Sequence, residues 1–382
     1  MDQQHQAPGP HSNEDPQLMM EQVAQLSDDI LTSVANATLC LMDGSDLEKL
    51  AVLYQFRQFL EHCPDETINT MVPQICKDAI KWDTRLQMSA AEALYSAVSL
   101  KLPEQVAKRV AVASLRIIQA VGSGDVFDAF GEVLSGVLPQ ISRDDVLALI
   151  VPATKERAVS DQIESRRLAA RIIGSLANQL HPEEIQEEFL AQILTLLKDS
   201  DPSVRAMMGQ SLSEVSAVLP LSVIETQIWP RLIGMLKEDK DPRVRASSLR
   251  ALARSCEAHK ANAATSAAYS KLLLPIFLEE CDHACKVASS DLRTIDDDTY
   301  LMVEIFAEVY GYFLVGMENA IRSDDDWTTS LNALRRMVTC NGPTVRQWCA
   351  FNLPGVVLTA AFRRPDRIKG VLNALSTDND VE

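Results

Sequence analysis

The hexapeptide DPSVRA occupies residues 201–206, DPRVRA occupies 241–246, and GPTVR ends at Arg346. In each DP pair the Asp carboxylate can accept from backbone N–H groups two or three residues on. The Pro falls at the first helical position, where a missing N–H costs nothing. Asp201-Pro202 and Asp241-Pro242 therefore read as helix starts. An aliphatic residue follows each Arg by seven positions: Leu212 after Arg205, Leu252 after Arg245 and Leu353 after Arg346. The same pairing recurs upstream as Arg166 with Ile173, Phe127 with Leu134 and Gln87 with Leu94. The anchors 87, 127, 166, 205 and 245 are separated by 40, 39, 39 and 40 residues, a period that marks a repeat architecture.

Each period holds two helices. In 183–219, Ile185, Phe189, Leu190, Ile193, Leu196 and Leu197 recur at helical spacing. After the DSDP turn, Val204, Met208, Leu212, Val215 and Leu219 line one side of a second helix, and Pro220 stops it. No β-alternating run bounded by turn signals stands out. One helical pair cannot bury its apolar face alone, whereas stacked copies can. A period near 40 lies in the range of HEAT and armadillo repeats, and two helices rather than three favour HEAT. The expected fold is all-α, an α-solenoid of about eight HEAT-type helical hairpins. Their second helices are expected to start near 46, 84, 125, 161, 202, 242, 297 and 344. Arg245 and Arg346 are 101 residues apart, roughly 20 more than two periods. The surplus sits around 261–268 and 289–298, and solenoid insertions map to loops on one face, often the binding face.

A single globular core would be stretched at 382 residues, a limit that a solenoid avoids. Residues 1–16 are polar and Pro-rich and are expected to be disordered, and they lack the pattern of a signal peptide. The solenoid is expected over 17–364, followed by a cap helix and acidic tail over 365–382, with 376–382 loose. The most apolar long run, 300–317, is interrupted by Glu304 and Glu308 one turn apart, so it reads as a buried helix with one wet edge and not a membrane span. The net charge of −17 argues against a phosphate-backbone partner, which needs clustered Lys and Arg. Protein partners, no nucleic acid, no membrane, and a cytoplasmic and also nuclear location are the expectations.

The eight cysteines are scattered, and without a secretory signal they read as buried thiols. Cys281, His283 and Cys285 form one suggestive cluster, but a closed zinc site needs four ligands and no second pair is in sight. No GxSxG, Walker or HExxH motif occurs. The GSG at 122–124 follows no strand, and acidic pairs such as Asp144-Asp145 read as solvated helix starts. One HEAT-type enzyme family, deoxyhypusine hydroxylase, holds two irons through His-Glu dipeptides, and none of the six histidines here precedes Glu. The expectation is a non-enzyme with no cofactor and no metal.

The D-x-V-R turn resembles the HEAT motif, in which Asp and Arg of successive repeats form a polar ladder. That resemblance implies structural roles for Arg166, Asp201, Arg205, Asp241, Arg245 and Arg346. Within the class, 194–215, 233–253, 79–94 and 342–358, with its V-R-x-x-x-x-x-N-L end, resemble scaffold and regulatory subunits of type 2A-like serine/threonine phosphatases. The relatives in question are the 65-kDa scaffold of protein phosphatase 2A and the HEAT-repeat regulatory subunits of protein phosphatase 4. The scaffold has about fifteen repeats, and this chain has room for eight or nine. In these scaffolds partners bind the ridge of turns inside each repeat. Carried over, the ridge is Trp82, Asp83 and Arg85, then Lys198 and Asp199, then Lys237, Glu238 and Lys240, and Asn341. Trp82, after an amphipathic helix and beside Asp83, is the leading anchor. Trp327 is a helix-start Trp of the same type, while Trp229 and Trp348 are expected to pack between helices. The implied function is a non-catalytic scaffold that binds a phosphatase catalytic subunit and substrate adaptors. The alternative is a HEAT-repeat adaptor in nuclear transport or in chromosome or cytoskeletal assembly.

Overall fold

Seven residues make about two helical turns, so the side chain seven places beyond each anchor returns to the anchor's side of its helix. Leu94, Leu134, Ile173, Leu212 and Leu252 are each at most 1% exposed. Burial of each such side chain contributes about 1.5–3 kcal/mol. Leu353 is only half-buried.

The computed structural model describes residues 33–261, 266–290, 295–360 and 365–378. The expected disorder over 1–16 and the middle of both surplus segments, 262–265 and 291–294, lie outside the described residues. The chain divides into two compact units, Met1–Val146 and Leu147–Glu382.

In the first unit run α1 (Val34–Asp43), α2 (Asp46–Tyr54), α3 (Phe56–His62), α4 (Val72–Asp78), α5 (Thr84–Val98), α6 (Glu104–Val121) and α7 (Asp125–Val137). The second helices α2, α5 and α7 pack side by side in that order, and α4 packs on α6. The second unit holds α8 (Val151–Ala158), α9 (Ile163–Leu176), α10 (Pro182–Leu196), α11 (Pro202–Val218), α12 (Trp229–Glu238) and α13 (Pro242–His259). It continues with α14 (Leu274–Ala288), α15 (Asp297–Met317), α16 (Asp324–Met337), α17 (Pro343–Ala360) and α18 (Pro365–Ser376). Here α9, α11, α13, α15 and α17 stack in chain order. The fold is an all-α HEAT-type solenoid, with no strand among the described residues. The observed second helices begin at Asp46, Thr84, Asp125, Ile163, Pro202, Pro242, Asp297 and Pro343, each within two residues of the expected start.

Five of these starts carry a side-chain cap. Ser45 and Glu48 form a capping box, and Asp83, Asp201, Asp241 and Asp296 each accept from a backbone N–H two or three residues on. Several first helices share a feature that periodicity alone does not show. Pro73, Pro152, Pro230 and Pro275 each stand second in α4, α8, α12 and α14. A five-residue π-type turn precedes each of them: Thr67–Met71, Val146–Ile150, Ile224–Ile228 and Tyr269–Leu273. A mid-helix Pro lacks an N–H and clashes with the carbonyl four residues back. The wider turn moves that carbonyl aside, so the helix continues through the Pro instead of ending.

The surplus after Arg245 is divided between two hairpins. Tyr300, three residues into α15, stands where Arg346 stands in α17, so the anchor steps become 55 and 46. Helix α15 is long and apolar enough to cross a bilayer, yet 67% of its apolar window is buried inside the protein. Around it Phe277, Phe306, Tyr310 and Phe313 form an aromatic cluster with ring centroids 5.6–5.8 Å apart.

Candidate partner-binding surface

The turn between the two helices of a hairpin is where this fold presents backbone and charge together. In the second unit the turns before α9, α11, α13 and α17 are each locked by an arginine. Arg166 donates from Nη1 to the Ser160 carbonyl of its own turn at 2.9 Å, and from Nε and Nη2 to both carboxylate oxygens of Asp199 in the next turn at 2.6 and 2.9 Å. Arg205 repeats this, with the Asp199 carbonyl at 2.8 Å and Asp239 at 2.7 and 2.9 Å. Arg346 does so again, with the Cys340 carbonyl at 2.8 Å and Asp378 at 2.5 and 3.3 Å. Arg245 keeps its own-turn bond to the Asp239 carbonyl at 3.0 Å, but reaches Asp298 only at 3.9 Å. The rung therefore weakens where the anchor spacing lengthens.

Two expected assignments change. Asp201 and Asp241 are not the ladder carboxylates, because each caps its own helix by accepting from Ser203 N and Arg243 N at 2.8 Å. Asp199, expected on the exposed ridge, is a ladder carboxylate whose side chain is 8% exposed. The ladder's acids are Asp199, Asp239 and Asp378, the first two lying two residues upstream of the caps, and Asp199 and Asp239 also accept from the cap residue's N–H at 2.9 and 3.0 Å. Asp378 falls in the stretch expected to be loose, and Arg346 holds it in place. Burial alone raises the Asp199 and Asp239 carboxyls. Their arginine and backbone N–H partners outweigh it, so both sit below their ordinary value. The Arg166 and Arg205 guanidinium groups are raised, chiefly by the bonds to Asp199 and Asp239.

On this frame Lys198, Lys237, Glu238 and Lys240 are exposed on consecutive turns joined by the Arg205–Asp239 rung. Lys237 reaches Glu279 of the following hairpin at 2.7 Å. Asn341 is exposed in the turn before α17. Trp82, Asp83 and Arg85 belong to the first unit, and Lys198, Lys237, Glu238, Lys240 and Asn341 to the second. Trp82 is half-buried, with its N–H donating to the Ala79 carbonyl at 3.2 Å, while Asp83 and Arg85 are exposed. Asp83 caps α5 by accepting from Leu86 N at 2.8 Å. Gln87, the anchor here, donates to the Ala79 carbonyl at 3.1 Å and so replaces an arginine with a shorter hydrogen-bonding side chain.

Sequence reasoning missed three apolar ridge residues. Ile80 is 41% exposed beside Trp82, Val159 is 73% exposed in the turn before α9, and Ile163 is 38% exposed as the first residue of α9. Their signal is an aliphatic residue in a turn, out of phase with the helical pattern on either side. Trp327, by contrast, is 2% exposed and donates from Nε1 to the Ile321 carbonyl at 3.1 Å, which removes it as a surface anchor. Trp229 is fully buried, donates to Ser255 Oγ at 2.8 Å and meets Tyr269 edge-on. Trp348 is half-buried and meets Phe351 edge-on.

No group of three or more His, Cys, Asp or Glu side chains suited to a metal ion occurs among the described residues. Cys281 is buried in α14 and burial pushes its thiol well up. His283 Nδ1 lies 3.8 Å from Glu280.

These features define the class: a helical-repeat solenoid whose charged turns are built on an arginine–aspartate ladder. Over 300 residues, 77% of the chain, the sequence is 21% identical to human serine/threonine-protein phosphatase 4 regulatory subunit 4. It is 19% identical to the mouse protein of that name over 301 residues. The chain spans about a third of the length of these relatives. No family model matches the chain. Among solved structures, Kap121p superposes over 96% of this chain and 37% of its own with a TM-score of 0.63 at 15% identity. A multiply substituted Kap121p reaches 0.65 over 94% of this chain and 37% of its own, again at 15% identity. The karyopherin Kap121p bound to the extreme C-terminus of the protein phosphatase Cdc14p covers 93% of this chain and 38% of its own at 0.53, also at 15% identity. The likeness to Kap121p is one of fold.

Proposed function

We propose that the chain is a non-catalytic scaffold or regulatory subunit that binds the catalytic subunit of a type 2A-like serine/threonine phosphatase and directs it by protein–protein contact. One observation carries this reading: similarity to a phosphatase 4 regulatory subunit runs through 77% of the chain, across the repeats and not within one motif. The geometry supports it. A ladder that fixes successive turns gives a partner a preorganised row of lysines and a glutamate at Lys198, Lys237, Glu238 and Lys240, and preorganisation lowers the entropy lost on binding. In the first unit Ile80 and Trp82 supply apolar area beside Asp83 and Arg85. A partly exposed Trp with an aliphatic neighbour has the composition of an interface hot spot.

The test is reconstitution. The purified chain is mixed with purified phosphatase 2A or phosphatase 4 catalytic subunits and followed by size-exclusion chromatography with light scattering. A one-to-one complex is expected, weakened about tenfold or more by Trp82→Ala with Arg85→Ala if that turn holds a hot spot. Lys198→Glu with Lys237→Glu tests the second group in the same way. Complex formation untouched by both pairs would move the interface off the ridge, and no complex with any such subunit would overturn the reading. The shared fold is all that stands behind the transport-adaptor alternative.

A further inference from the structure

In the first unit the first helices α1, α4 and α6 pack in chain order. Between α4 and α6 lies a groove of about 450 Å³ lined by four cations, Lys77 on α4 and Lys108, Arg109 and Arg116 on α6, and by no carboxylate among the described residues. Pro73 and Val112 give it an apolar part. Lys108 pairs with Asp145 at 2.7 Å, whereas Lys77, Arg109 and Arg116 are exposed and make no ion pair among the described residues. Lys77, in the last turn of α4, complements the carbonyl end of that helix. Arg109 and Arg116 have no such reason, because they stand seven apart on one side of α6, outside its first and last turns. The positions three and four away hold Gln105, Val106, Val112 and Ala113 around Arg109, and Val112, Ala113, Gln119 and Ala120 around Arg116. Neither arginine therefore finds a carboxylate at pairing distance along its own helix.

We propose that this groove docks the chain's own N-terminal segment. Residues 1–32 lie outside the described residues and carry six acids, Asp2, Glu14, Asp15, Glu21, Asp28 and Asp29, with no Lys or Arg. Five of the six fall within 14–29, interleaved with Leu18, Met19, Met20, Val23 and Leu26. That mixture of acidic and apolar side chains complements cationic walls beside Pro73 and Val112. The point of attachment suits it. The segment joins α1 at Ser33, whose side chain caps that helix, and about one turn on Thr38 Oγ1 meets Thr70 Oγ1, two residues before α4, at 3.5 Å. Packed helices lie about 8–10 Å apart, so the groove is about 12–15 Å from α1. Glu21 stands twelve residues before Ser33, a stretch that reaches roughly 40 Å when extended. A tethered segment also meets its site at an effective concentration on the order of millimolar, which strengthens contacts that are individually weak. The net charge of −17 repels such a segment from most of the remaining surface.

Zero-length carbodiimide cross-linking of the full chain, read by mass spectrometry, tests the site. Cross-links from the acids of 14–29 to Lys77 and Lys108 are expected, and should fall about threefold or more in Arg109→Ser with Arg116→Ser and at about 0.5 M salt. The Lys108–Asp145 pair is the internal control and should link in the variant as in the unaltered chain. In an equal mixture of isotopically light and heavy chains the segment's cross-links should join residues of one chain. Light-to-heavy links in equal share would overturn the chain's own segment as the occupant. Neutralising the segment by Glu14→Gln, Asp15→Asn, Glu21→Gln, Asp28→Asn and Asp29→Asn leaves the groove untouched and should raise acetylation of Lys77 about threefold relative to Lys101. That measurement carries the test should the double arginine variant fail to fold. Cross-links spread evenly over exposed lysines such as Lys101 and Lys240, a yield unchanged by the arginine variant, or Lys77 acetylation unchanged by neutralisation would each overturn the site. No phosphatase enters this experiment, so its outcome is separate from that of the function proposed above.

Discussion

Arg205 does two things with one guanidinium: it closes its own turn through the Asp199 carbonyl and grips Asp239 of the next. Its truncation to Ala leaves Asp239, whose side chain is 9% exposed, without its cation. The expected loss is about 2–3 kcal/mol of unfolding free energy, read from urea denaturation, with Arg205→Lys recovering only part because one ammonium cannot span both oxygens. The ladder also sets an acid limit. Asp199 and Asp239 lie below their ordinary 3.8, so their contribution is fully present above that value and is lost as pH falls through the lower folded value. Melting temperature followed from pH 6 to pH 2.5 should drop on that limb, and Asp239→Asn should flatten the drop while lowering stability at neutral pH. A variant with an unchanged acid limb would remove Asp239 from the account. At this scale the arginines were legible because they recur at a fixed interval. Their acid partners were not, since the chain places two aspartates within three residues in DSD and DKD, and only geometry shows that the first pairs and the second caps.

Between elements, close approach is set by a few small residues. Gly311 in α15 faces Asn352 in α17, whose Oδ1 accepts from Gly311 N at 3.0 Å and whose Nδ2 donates to the Ala307, Glu308 and Trp348 carbonyls, each at 2.9 Å. Asn352 thus stitches two second helices through backbone groups, which is the physical content of the N-L end of that repeat. Asn352→Leu, close in volume but unable to hydrogen-bond, should cost about 2–3 kcal/mol in urea denaturation. A cost near zero would show that the helices rejoin without it. A Cβ on Gly316 would sit 2.4 Å from the Cys256 carbonyl oxygen, backbone against helix, with little freedom to yield. Gly316→Ala is therefore expected to cost about 1–3 kcal/mol, and wild-type stability would contradict the packing of α13 against α15. The starts of the second helices could be read from spacing, with caps marking α11 and α13. The first helices that run through a Pro could not, because Pro is ordinarily a helix stop. MVPQI, LIVPAT, QIWPRL and LLPIF do place Pro after apolar residues in each of these helices, and that recurrence was the missed signal.

At the scale of the whole molecule, the solenoid follows from a chain that repeats a unit too small to bury its own face. The interval and the two-helix unit specify it without any one residue being special, which is why the fold was legible while the binding surface was only partly so. A ridge is defined by which side chains remain exposed after neighbours stack: Asp199 and Trp327 turned inward, and Ile80 and Val159 turned out. The measurement that bears most directly on the account is affinity purification of the tagged chain from its own cells, with mass spectrometry, beside the Trp82→Ala/Arg85→Ala variant. The account predicts recovery of a type 2A or type 4 phosphatase catalytic chain with the unaltered protein and its loss from the variant at equal helicity. Repeated recovery of transport or chromatin proteins with no phosphatase would leave the solenoid in place and contradict the function proposed for it.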